Sequence, residues 1–104
     1  MKRTTFEALC SEHYDMIVHI NQTKGKEYAR DDDDALANFK RHATELGLRP
    51  EQVWAVYASK HWDAIMSYVK LGATVSEESI EGRIHDAILY LFLLLGLITD
   101  GQNE

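Results

Sequence analysis

The stretch Gly47-Leu48-Arg49-Pro50-Glu51-Gln52-Val53-Trp54, closed downstream by Lys70-Leu71-Gly72, decides the fold. Pro50 stands where a helix begins, because the first turn does not need its missing N–H. Gly47 before it and Gly72 after it are helix-ending residues, since glycine enters the left-handed conformation without a Cβ penalty. Between them Val53, Trp54, Val56, Tyr57, Trp62, Ile65, Met66, Tyr68 and Val69 recur at helical steps. They cover too wide an arc for a helix with a single buried stripe. The spacing predicts a helix from about Glu51 to Leu71 that is apolar on more than one side.

Working outward, Leu36, Phe39, Ala43 and Leu46 predict a second helix from about Asp34 to Leu46, ended by Gly47. The aspartates before it supply a cap and negative charge at the positive end of the helix dipole. Further upstream, Phe6, Leu9, Cys10, Tyr14, Ile17 and Ile20 predict a first helix from Phe6 to about Thr23. Thr4 or Thr5 is its expected cap and Gly25 its expected end. Downstream, a fourth helix is expected from Ser76 or Ser79 to about Thr99, charged in its first half and apolar in its second. No stretch alternates with a two-residue period, so strands are not expected. The reading is all-α: one domain, residues 1–104, folded as a four-helix antiparallel bundle. Two wide apolar helices in so small a chain predict a homo-oligomer.

Composition narrows the function classes. The chain has 104 residues, and 11 Lys and Arg against 17 Asp and Glu leave a net charge of −6. An acidic balance argues against a general nucleic-acid-coating module, since phosphate binding is driven by excess basic charge. The single cysteine, Cys10, excludes an internal disulfide, fits a reducing cytoplasm, and falls on the apolar stripe as an expected core residue. The run Ala87 to Ile98 is shorter than the roughly 20 residues a membrane crossing needs. No apolar signal core follows the N-terminus, and a soluble cytoplasmic protein is expected.

Three groups of residues could carry chemistry. On the fourth helix, Glu78, Glu81 and His85 share one face. Asp86 lies about 140° round from Glu81, so the two can hold one ion only if another segment completes the site. Magnesium is the ion such carboxylates would take; the alternative is an acidic first turn favoured by the dipole. On the third helix, Lys60 and His61 could meet phosphate oxygens, or Lys60 could lay its stem on apolar surface with its head in water. The third group runs from Lys24 through Tyr28 and Asp31–Asp34 to Asn38, and could hold a nucleotide and a cation or simply be solvated. No His-x-x-x-His pair, Gly-rich phosphate loop or Gly-x-Ser-x-Gly elbow is present.

The series Lys24-Gly25-Lys26-Glu27-Tyr28, Asn38-Phe39, Lys60-His61-Trp62-Asp63 and Glu81-Gly82-Arg83-Ile84-His85-Asp86 with Tyr90 resembles a set of small phage and prophage proteins. Those are similar to the all-helical nucleotide modification associated domain family, type one. The resemblance spans roughly Lys24 to Ile98. It implies a nucleotide-handling helical domain working in the host bacterial cytoplasm, with ligand-binding positions at Lys24, Tyr28, Asn38, Lys60, Glu81, Arg83 and Asp86. His61 joins them from its place beside Lys60.

A wider comparison is to the MazG-like nucleotide pyrophosphohydrolases, which hold magnesium with Glu-x-x-Glu followed by Glu-x-x-Asp. Here Glu78-Ser79-Ile80-Glu81 comes on the last helix with no Glu-x-x-Asp after it.

Three functions follow as expectations. In the first, a nucleotide is bound and sequestered, as an anti-defence sponge would do. Lys24, Lys60 and Arg83 meet its phosphates, Tyr28 or Trp62 stacks its base, and Asn38, Glu81 and Asp86 fix base or ribose. The second is a magnesium-dependent hydrolase with Glu78, Glu81 and Asp86 at the metal. The third is a protein-interaction module that inhibits a host enzyme through its apolar helices.

Overall fold

The structure is a computed structural model that describes the backbone of residues 1–28, 34–74 and 77–103, and the side chains of all of these except 23–28. It contains four helices: α1 (Arg3–Tyr28), α2 (Ala37–Leu46), α3 (Pro50–Leu71) and α4 (Ile80–Gln102). No strand occurs among the described residues, and the fold is an all-α bundle.

The punctuation of α3 follows the sequence. Pro50 opens it, and the Gln52 side-chain oxygen accepts the Arg49 N–H at 2.8 Å. Gly47 and Gly72 both take positive φ, 68° and 74°, and the Gly72 N–H closes the last turn onto the Tyr68 carbonyl at 2.8 Å. Of the two serines proposed to start α4, Ser79 is the cap: its Oγ accepts the Gly82 N–H at 3.0 Å. Ser76 lies outside the described residues.

Elsewhere the boundaries move. α1 begins at Arg3, so Thr4 and Thr5 lie inside it rather than capping it, and it continues through Gly25 to Tyr28. A glycine inside a helix costs about 1 kcal/mol relative to alanine, which its helix-favouring neighbours Lys24, Lys26 and Glu27 offset. α2 starts at Ala37 rather than Asp34; Asp34 precedes it and accepts the Leu36 N–H at 2.9 Å. Lys40 then joins Asp34 to Asp100 at 2.9 and 3.0 Å, tying the start of α2 to the end of α4.

α3 and α4 pack antiparallel, α2 lies on α3, and α1 leans on α4. The core is small: Leu36, Phe39, Ala43, Val53 and Leu97, with Trp54, Tyr90 and Leu93 packed against them. Phe39 stands edge-on to both Tyr57 and Tyr90. The Trp54 indole N–H donates to the Tyr90 carbonyl at 2.6 Å, pinning α3 to α4. Gly96 leaves room for the Leu36 side chain just ahead of α2, since a Cβ there would stand 3.4 Å from Leu36 Cδ1.

Two apolar expectations fail. Leu46, read as the last member of the α2 stripe, is exposed. Among the described side chains of α1 only Ile17 is buried, whereas Phe6, Leu9, Tyr14 and Cys10 face outward. Helical periodicity identifies a face but not whether anything covers it; α1 meets α4 through His13 on His85 and Tyr14 on Phe92, well past Phe6 and Leu9. With its charged first turns included, α4 is long and apolar enough by length and composition to cross a membrane. It nevertheless places Leu97 in the core and packs against both α1 and α3.

Candidate functional site

His61 is 6% exposed, and the antiparallel pairing of α3 with α4 sets its ring against Tyr90 and beside Asp86. The ring centroids of His61 and Tyr90 are 4.9 Å apart. Nδ1 of His61 stands 3.7 Å from Asp86 Oδ2, too long for a hydrogen bond, and finds no other hydrogen-bond partner. Asp86 keeps about a third of its side chain in water, 34%.

Burial pushes the His61 pKa below the usual histidine value; Asp86 opposes that shift, while Lys60 and Arg83 add to it and Glu78 opposes it. All four charges therefore act on one imidazole. Arg83, with 17% of its side chain exposed, pairs with Glu78 through Nε at 3.1 Å. Burial also raises the Tyr90 hydroxyl, with Asp86 and Tyr57 reinforcing it.

The lowered His61 pKa sets a pH dependence. The folded protein binds fewer protons at this ring than the unfolded chain does. Its stability is then fullest above the unfolded histidine value and is lost as pH falls through that value toward the folded one. We expect the melting temperature to drop between about pH 7 and pH 5, and to drop less in His61→Phe, which keeps the ring without the proton. Thermal melts of both proteins check this; parallel pH profiles contradict it.

Of the sequence-derived ligand residues, His61 and Asp86 are brought together, at 3.7 Å, while Lys60 and Arg83 are near enough to act on the ring electrostatically. Glu81 does not: it is exposed in the first turn of α4 and has no ion pair among the described residues. Asn38 lies on α2 beside the core residue Phe39, with its side-chain oxygen enclosed. The side chains of Lys24 and Tyr28, and all of Asp31–Asp33, lie outside the described residues.

The metal set is not assembled. Glu78 precedes the Ser79 cap and turns to Arg83, while Glu81 and Asp86 stay about 140° apart on α4. Among the described residues no three His, Cys, Asp or Glu side chains form a metal-holding group.

Trp62 is also placed elsewhere. It follows Lys60 by two residues, about 200° round α3, so one nucleotide cannot stack on Trp62 while its phosphate meets Lys60. Trp62 instead lines an open apolar groove of about 310 Å³ with Trp54, Ala58, Ala87 and Leu91.

Sequence reasoning missed a second histidine contact. His13 Nδ1 and buried His85 Nε2 share a hydrogen bond of 2.6 Å between α1 and α4. Each lies on a different helix, so no spacing rule joins them. Comparison with protein-family models, with curated proteins and with solved structures gives no match to this chain.

Proposed function

We propose that this protein binds a nucleotide-class anion and holds it without turning it over, at the His61 cluster between α3 and α4. The observation that carries this reading is that buried His61 of α3 sets its unpartnered Nδ1 3.7 Å from Asp86 of α4, with Lys60 next to it in the chain and Arg83 about one helical turn before Asp86. Lys60 is an exposed cation able to meet a phosphate as a point charge. Arg83 is mostly enclosed and paired through Nε with Glu78, and its guanidinium adds positive potential near the ring. His61, kept neutral by burial, can donate from one ring nitrogen and accept at the other. Asp86 offers a carboxylate to a ribose hydroxyl or a base N–H.

Holding rather than hydrolysis is the form proposed because, among the described residues, Glu78, Glu81 and Asp86 form no metal-holding group. A phage sponge that removes a nucleotide signal is one form of this activity, in keeping with the resemblance to small phage proteins.

Calorimetry with nucleoside mono-, di- and cyclic phosphates tests the proposal. At least one of them should bind, and Lys60→Ala should weaken it by about 10-fold, the value of one charged hydrogen bond. Trp62→Ala should leave the affinity unchanged. No heat with any of these compounds, in a folded sample, would remove the reading.

A further inference from the structure

The outer face of the α3–α4 pair is apolar along its whole length. On α4, Ile84, Ile88, Leu91, Leu95 and Ile98 follow one another at steps of four, three, four and three residues. All but Ile88 are counted among the exposed large hydrophobic residues, with Leu91 at 60% and Leu95 at 59%. That alternation is the a/d repeat of a helix whose seam meets another helix in a left-handed supercoil. None of the neighbouring helices α1, α2 and α3 fills the seam.

α3 repeats the pattern. Trp62, Met66 and Val69 continue the steps of four and three from Ala55 and Ser59, and all three are exposed. Between the two stripes runs the Trp62–Leu91 groove, with Ala58 and Ala87 among its lining residues leaving room for a side chain from outside. No charged residue interrupts either stripe.

We infer that a second copy of this chain docks on this face, so that α3 and α4 of each protomer close a four-helix core. The area supports that occupant. A compact monomer of 11.9 kDa exposes about 6,000 Å², whereas this protomer exposes 7824 Å². The excess, roughly 1,800 Å², counts every exposed surface, α1 included, and the α3–α4 face need supply only about 800 Å² of it to make a standard interface. The described residues contain six buried apolar side chains, and none of the large ones is fully buried. A protomer so short of core needs a partner present wherever it is made, and its own copy is that partner. Two stripes of the same spacing and chemistry also make the face self-complementary, as a two-fold interface requires.

A lipid surface fits less well. Immersing the face would draw in Asp63 and Lys70, which flank the α3 stripe, at several kcal/mol for each charge near mid-bilayer.

Sedimentation velocity on the full chain tests the inference, with Leu91→Glu and Leu95→Glu as variants. The wild type should sediment at twice 11.9 kDa. Each variant should sediment as a monomer with its helical circular dichroism intact, its self-affinity weakened at least about 100-fold by a carboxylate in an apolar seam. Phe6→Glu, exposed on α1, should remain a dimer.

Should the seam variants fail to fold, dilution of the wild type still decides. Separation of the protomers must move Trp62 emission to the red, since Trp54 is half-buried within each protomer. A wild-type monomer at every concentration overturns the inference. So does a dimer that survives Leu91→Glu, or one whose dilution leaves the emission unmoved. So does a chain that stays monomeric in buffer and partitions into phosphatidylcholine–phosphatidylglycerol vesicles.

Discussion

Phe39→Ala should destabilise the protein by about 3–5 kcal/mol, the range for removing a buried phenyl ring. Phe39 is 8% exposed and stands edge-on to Tyr57 of α3 and Tyr90 of α4, so one ring joins three helices. The loss has two parts: apolar area returned to water, and a cavity that the short α2 cannot collapse to fill. The core around it holds only Leu36, Ala43, Val53 and Leu97. A domain of this size is stable by about 5–15 kcal/mol, so the substitution removes a large share of the total. Urea unfolding followed by circular dichroism, at equal protomer concentration for both proteins, measures it. A difference below about 1 kcal/mol would show that α2 contributes little to the core.

The second large effect is local. Ile17→Asp should release α1 from α4 while leaving α2, α3 and α4 folded. Ile17 is the one buried side chain among those described on α1, at 3% exposure, and His13–His85 and Tyr14–Phe92 are ring contacts beside it. A carboxylate in that seat must either lose its hydration or push the helix away. Once free, α1 is a single exposed helix, and isolated helices of such length are marginal in water. Hydrogen exchange should show amide protection in the middle of α1 falling by roughly 100-fold or more, with α3 and α4 unchanged. Equal loss of protection in every helix would mean that α1 belongs to the global core.

The legible parts of the fold were those written in local chemistry. Pro50, Gly47 and Gly72 set α3 because proline and glycine act on the backbone directly, and Ser79 was one of two serines named for the start of α4. Gly25 misled because a mid-helix glycine carries a modest penalty that good neighbours absorb. Cys10, Phe6 and Leu9 misled for a different reason: a stripe records which side could be covered, and here all three stay exposed while Ile17 is buried.

At the candidate site, the angular gap between Glu81 and Asp86 is readable from their numbers, because both lie on one regular helix. The same arithmetic applied to Lys60 and Trp62 places them on different faces of α3. The nearness of His61 to Asp86 was not readable, since it depends on how two helices register against each other.

The measurement closest to the central claim is a nitrogen-15 histidine spectrum recorded while a nucleotide is added. The ring signals of His61 should move, with backbone shifts at Lys60 and Asp86, and Lys60→Ala should weaken the response. Trp62 should stay still. Unmoved His61 signals at saturating nucleotide, or shifts confined to the Trp62 groove, would contradict the account.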